Sequence, residues 1–174
     1  DHIHVGVGDI EFPQVDPSVF EPFATTIMDS SSSFADRTLT NIRIAANTNP
    51  TFSGTTTIRG VVFIETPNKV KFTGQLNLTG LIVTQDAGHN NTANNQIDFA
   101  GSTVSAGVES LPNMAPFTQL RQMPGSFILA PGFEVSFSGT FGMANGCMAA
   151  EAFKFSGTTG GTVKGTIISY GDTT

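Results

Sequence analysis

The chain has no tryptophan, one tyrosine, one cysteine and only eight lysines and arginines among its 174 residues. Each scarcity excludes something. A lone Cys147 rules out an internal disulfide and a cysteine-based zinc site. It lies in the apolar run Cys147-Met148-Ala149-Ala150, which reads as a buried, unreactive thiol. Eight scattered basic residues under a net charge of −6 give no patch for phosphate, so neither nucleic acid nor an anionic membrane surface is expected as a partner. Charged residues are 13% of the chain, about half the usual share, and the strong helix formers are correspondingly thin, which excludes a large helical bundle. No apolar run approaches the ~20 residues of a membrane span, so no membrane insertion by this segment is expected. The chain opens on Asp1 rather than Met, which reads as a mature product or a piece of something longer.

What the chain does have is glycine (19) and phenylalanine (15), and they recur together. The triplet Phe-small-Gly appears at Phe52-Ser53-Gly54, Phe72-Thr73-Gly74, Phe99-Ala100-Gly101, Phe137-Ser138-Gly139 and Phe155-Ser156-Gly157. A second glycine follows six to eight residues later, at Gly60, Gly80, Gly107, Gly146 and Gly165. A short, mostly apolar run follows each: Val61–Ile64, Leu81–Thr84, Val108–Leu111, Cys147–Ala150 and Thr166–Ser169. Gly125 opens a further run, and Asn41-Ile42-Arg43-Ile44 reads as an early copy without its glycine. Units of about twenty residues, too short for helices and rich in Phe, Val, Ile and Thr, suit stacked strands. The expected fold is all-β: a right-handed parallel β-helix (solenoid) of six to seven coils, some 30–35 Å long at ~4.8 Å per coil. Its core ladder is Phe52, Phe72, Phe99, Phe137 and Phe155. Right-handedness rests on the general rule for parallel crossovers.

Residues 1–40 lack the triplet and read as an N-terminal cap with a strand or two, including a short helix capped by Asp16 and limited by Pro22. Ser30–Ser33 reads as a flexible loop. Residues 41–174 form the solenoid, interrupted by a polar insertion at 86–96 and a proline-containing one at 111–125, the latter with a turn or two of helix packed on the solenoid side. Insertions in repeat folds project as loops, so His89, Asn90, Asn91, Phe117, Leu120 and Arg121 are the candidate interaction residues.

Chemistry-bearing groups are sparse. Counting from the corner glycines places Glu65 and Glu151 in one column, in non-adjacent coils about 14 Å or more apart. Paired glycosidase carboxyls need roughly 5–9.5 Å. No catalytic residue and no cofactor is expected. His2 and His4 alternate and are weak metal candidates, against the simpler reading of a frayed terminus. Asn77-Leu78-Thr79 and Asn90-Asn91-Thr92 are glycosylation sequons, a weak signal. Two alternatives stay open: a carbohydrate-binding or polysaccharide-lyase-like β-helix, and an ice-binding solenoid using Thr55-Thr56-Thr57 and Thr158-Thr159.

The segments Ile58–Glu65 and Pro124–Gly132 resemble bacterial envelope proteins with a pilus-assembly-type β-solenoid domain, over about residues 41–171. Bactofilins are similar more remotely. The resemblance implies a non-catalytic structural or adhesive module of the bacterial cell envelope or surface. It also implies an extracellular or envelope location, and pilus proteins, other envelope proteins or surface glycans as partners. Self-association through solenoid ends is expected from strand edges that act as templates.

Overall fold

The computed structural model describes residues 16–140, 143–156 and 162–171. It is an all-β fold. The strands are β1 (Thr26–Met28), β2 (Thr38–Ile44), β3 (Thr51–Phe52), β4 (Thr55–Ile64), β5 (Lys69–Phe72), β6 (Gln75–Thr84) and β7 (Gln96–Phe99). They continue with β8 (Ser102–Ala106), β9 (Ser126–Phe137), β10 (Met143–Asn145), β11 (Cys147–Phe155), β12 (Thr162–Lys164) and β13 (Ile167–Ser169). Eleven of them form one sheet in which every pairing is parallel, and β10 and β12 form a second parallel pair. The large sheet curls back on itself through β9: its first half pairs β6 (Ile82 with Ile128) and its second half pairs β7 (Phe99 with Phe137).

Pairing sorts the strands into three strips, which the chain visits in a fixed order. The first holds β3, β5, β7 and the second halves of β9 and β11. The second holds the first halves of β2, β4 and β6, with β8. The third holds β1, the second halves of β2, β4 and β6, the first halves of β9 and β11, and β13. Alternation along each strand sends one set of side chains inward. Ile42, Ile58, Val62, Leu76, Ile82, Ile128, Val135 and Met148 meet there with the phenylalanines in a single buried cluster.

The expected phenylalanine ladder is present. Ring centroids lie 4.9 Å apart from Phe52 to Phe72, 5.3 Å to Phe99, 4.8 Å to Phe137 and 5.4 Å to Phe155, with interplanar angles of 13° or less. Those separations match the ~4.8 Å strand spacing, so hydrogen bonding and ring stacking are satisfied by one translation. Phe34 closes the first end edge-on, 5.1 Å from Phe52 at 80°. Phe155 at the other end is 51% exposed.

The glycines matter chiefly for contact between neighbouring passes of the chain. A Cβ on Gly74 would lie 1.9 Å from the Gly54 carbonyl oxygen, and one on Gly101 1.8 Å from that of Gly74. At the next corner a Cβ on Gly80 would lie 1.9 Å from the Gly60 oxygen, and here φ is also +141°. Both columns begin on an Asx residue in the left-handed region: Asp36 and Asn41, each with φ 48°. Their side chains cap the following pass. Asp36 Oδ1 accepts from the Thr55 N–H at 2.8 Å, and Asn41 Oδ1 from the Val61 N–H at 3.1 Å. Asn41 thus stands where the early copy lacked its glycine, because asparagine tolerates that backbone region better than most residues.

Several local expectations change. Val108–Ser110 is a 3-10 helix rather than a strand. Gly125 (φ +109°) supplies the corner, and Ser126–Leu129 the strand, that Gly107 and its run were expected to give. The cause is an excursion between β8 and β9 that leaves and rejoins the sheet at one level. Parallel pairing reaches back to Thr38 and Thr26, within the segment expected to carry a strand or two. Asp16 does cap a helix, of 3-10 type over Pro17–Phe23, by accepting from the Ser18 N–H at 2.9 Å. Ser31 and Ser32 are tied to Asp29 by hydrogen bonds rather than left free.

A second apolar layer covers the outside of the third strip. Outward Val61, Phe63, Leu81, Val83, Leu129 and Ala149 are buried by Phe20 and Ala24 from the N-terminal side, and by Val108, Leu111, Phe117 and Leu120 from the excursion.

Removing a ring from the middle of the ladder leaves a cavity with rings on both sides, whereas the exposed end can relax. Phe99→Ala is expected to cost about 3–5 kcal/mol and Phe155→Ala less than half as much, by urea unfolding. Equal losses would contradict a continuous buried ladder.

Candidate functional site: a corner cleft on the third strip

A cleft of about 360 Å³ opens where the chain leaves the third strip for the first. Asp16, Pro17, Asp86, Gly88, His89, Leu129, Pro131, Gly132, Glu151 and Tyr170 line it. Glu151 lies at the turn in the middle of β11, and Tyr170 follows β13 one repeat on. The 86–95 loop folds down beside them. Gly132, at φ +73°, leaves room for it: a Cβ there would lie 2.5 Å from the Gly88 carbonyl oxygen. Asn91 Nδ2 donates to the Ala87 carbonyl at 2.5 Å and Asn95 Nδ2 to the Asn91 carbonyl at 3.0 Å, which fixes the loop's own shape.

Glu151 is the centre of the cleft. Its side chain is 6% exposed. Its carboxylate contacts His89 Nδ1 at 3.1 Å and accepts from the Asn90 N–H at 3.3 Å. His89 itself is 71% exposed, so the imidazole acts as a strap from solvent onto a buried acid. Asp86 Oδ1 accepts from the Gly88 N–H at 2.8 Å. The Ser18 N–H and hydroxyl hold the Asp16 carboxyl below its ordinary range. Burial pushes the Tyr170 phenol up, with Cys147 adding to the shift, so the phenol stays neutral at physiological pH. The cleft therefore combines carboxylates, one imidazole and a phenol above an apolar floor of Leu129 and Pro131. It can accept hydrogen bonds and hold positive charge.

Of the loop residues expected to make contacts, His89, Asn90 and Asn91 are exposed; His89 lines the cleft and the Asn90 N–H reaches Glu151, while Asn91 serves the loop's own shape. Phe117 (7% exposed) and Leu120 instead point inward and serve packing, because the third strip's outer face is itself apolar and must be covered. Arg121 binds that excursion together by donating to the carbonyls of Glu109 and Leu111. His2 and His4 lie outside the described residues. Among those described, no group of three His, Cys, Asp or Glu side chains is placed to hold a metal ion. No described helix is long and apolar enough to cross a membrane.

Glu65 and Glu151 do not meet. Pairing puts Gln85 and Pro131 between them in the corner column, with a register shift in β11 opposite β9 that replaces Ala130 by Pro131 in that column. Glu65 is engaged elsewhere: Arg43 Nε lies 2.5 Å from it, and the same guanidinium reaches Glu21 at 2.7 Å. Among the described residues Thr55–Thr57 do not continue as an array, since Thr57 pairs with Asn77 and then Val104 across the second strip, and Thr158 and Thr159 lie outside the described residues. Sequence spacing missed the gathering of Asp16, Asp86 and Glu151, because they come from three distant segments. It also missed the asparagine ladder at this corner. Asn49 N–H donates to Asn68 Oδ1 (2.8 Å), and Asn68 N–H to Asn95 Oδ1 (3.3 Å).

Cys147 is half-buried rather than fully enclosed, and its desolvation pushes the thiol pKa up. No protein family, curated protein or solved structure matches the chain.

Two outcomes follow from this geometry. With its thiol pKa raised, Cys147 forms thiolate only at higher pH than free cysteine. Its alkylation by iodoacetamide, followed by mass spectrometry across pH, is expected to show a midpoint above that of a model thiol; a lower midpoint contradicts the assignment. His89→Ala is expected to speed hydrogen exchange at the Asn90 amide while changing global stability by less than about 1 kcal/mol. Unchanged exchange would mean the strap does not hold the loop.

Proposed function

We propose that this protein is a non-catalytic structural or adhesive module of the bacterial cell envelope or surface. In this reading the curled sheet is a right-handed parallel β-helix of six to seven coils, a stiff support whose exposed strips, loops and ends meet other molecules. The observation that carries the reading is the ladder Phe52–Phe72–Phe99–Phe137–Phe155. It fills the interior with stacked rings along one line, and so commits the inside of the molecule to support. Contacts are then left to the outside. The third strip is already covered by the second apolar layer. The first presents Lys71 paired with Asp98 at 3.4 Å and Lys154 paired with Glu134 at 2.8 Å, a flat mixed-charge face suited to polar, reversible contacts. Its partners in this reading are further copies through the ends, envelope or pilus proteins, or surface glycans. The envelope location rests on the resemblance of Ile58–Glu65 and Pro124–Gly132 to pilus-assembly-type solenoids.

Antibodies raised against the purified protein are expected to label intact cells of the source organism. Labelling that appears only after the cells are opened to their cytoplasm would overturn the envelope reading.

A further inference from the structure

The corner column carries a glutamate twice, and the two are treated differently. At Glu65 the carboxylate is met by Arg43, which lies between it and Glu21 of the Pro17–Phe23 helix. The hydrogen bond that Arg43 donates to Glu65 is also the main reason the Arg43 pKa is raised. At Glu151 the same helix contributes acid from its other end, because its cap Asp16 lines the cleft together with Glu151 and Asp86. Here no guanidinium is present. No lysine or arginine is among the residues that line the cleft. All eight basic residues lie in the described regions, so the segments outside them contain none. Arg43, Lys71 and Lys154 are committed to Glu65 with Glu21, to Asp98 and to Glu134, and Arg121 to carbonyls of the excursion. Arg59 lies in the second strip and Lys69 in the first, Arg37 just precedes β2, and Lys164 ends β12; none of them lines the cleft.

We propose that the cleft binds a guanidinium or ammonium group from another molecule, with Glu151 as the buried acceptor, Asp16 and Asp86 as flanking carboxylates, and Tyr170 with Leu129 and Pro131 against the ligand's aliphatic stem. The filled triad Glu21–Arg43–Glu65 is the pattern for this, one cation bridging a helix carboxylate and a corner carboxylate. A planar fork satisfies such a pair better than a point charge, so guanidinium is preferred to ammonium. The imidazole of His89 sits at the rim on the same carboxylate. An incoming cation must share or displace that contact, and Asp16, Asp86 and Tyr170 line the same cleft.

Two sources carry this chemistry: a free small amine, or an arginine side chain on a partner protein. The test uses the intact chain, with agmatine as the free probe and a short arginine-containing peptide, blocked at both ends, as the second. Backbone resonances are followed by NMR at low salt. Saturable shifts are expected at Gly88, Asn90, Gly132 and Tyr170 with both probes, larger for agmatine than for butylamine. Tighter binding of the peptide than of agmatine assigns the source to a protein; the reverse assigns it to a free amine. Glu151→Gln is expected to weaken binding about tenfold or more. Because Glu151 is buried, Asp86→Asn provides a second variant: asparagine keeps the oxygen that accepts from Gly88, so the loop stays folded and binding falls by a smaller factor. Glu134→Gln, on the first strip, is expected to leave binding unchanged. The proposal is overturned if the cleft resonances do not move with either probe, or move equally in wild type, E151Q and D86N.

Discussion

The fold depends on one coincidence of distances. Parallel strands pair at ~4.8 Å, and flat aromatic rings stack at very nearly the same separation. A sequence that returns a phenylalanine to the same place in each pass therefore satisfies backbone and side chain together. From Phe52 to Phe155 the ring separations stay between 4.8 and 5.4 Å. The same spacing imposes the glycines. Where the chain turns, neighbouring passes come so close that a Cβ on Gly74, Gly80, Gly101 or Gly139 would lie within about 2 Å of a carbonyl oxygen of the previous pass. Replacement there is blocked by the backbone of another repeat, even at corners whose φ is ordinary.

The polar corner follows from the same stacking. Each pass buries backbone groups where it turns from the third strip to the first, and those groups need partners. Asn68 meets the need with its whole amide: Nδ2 donates to the carbonyls of Ala45 and Glu65, while Oδ1 accepts from the Asn49 N–H. Glu65 and Glu151 stand beside this ladder, and the difference in what they bind gives the corner its two characters. One is closed by Arg43. The other is buried without a guanidinium and meets the His89 imidazole and the Asn90 N–H.

Much of this was legible in the sequence. The phenylalanine triplets fixed the ladder because their period survives both insertions. The corner glycines were legible until Gly107, where an identical local pattern leads into a 3-10 helix and Gly125 takes the role eighteen residues later. Local spacing cannot distinguish the two, since the choice depends on which run lies beside Ile82. Phe117 and Leu120 misled for a related reason. Their place in an insertion suggested contact residues, but the apolar outer face made by Val61, Phe63, Leu81 and Val83 draws them in. The cleft was not legible. Asp16, Asp86 and Glu151 converge only because the N-terminal helix and the 86–95 loop both lie over a corner whose position is set by long-range register.

The long excursion between β8 and β9 leaves the pairing of Ile82 with Ile128 and of Phe99 with Phe137 undisturbed. Axial length is thus counted in repeats and not in residues. Added sequence at that turn widens the molecule sideways at a fixed height, so its girth and decoration can diversify through evolution, or accept a grafted peptide, while the distance between its two extremities stays the same.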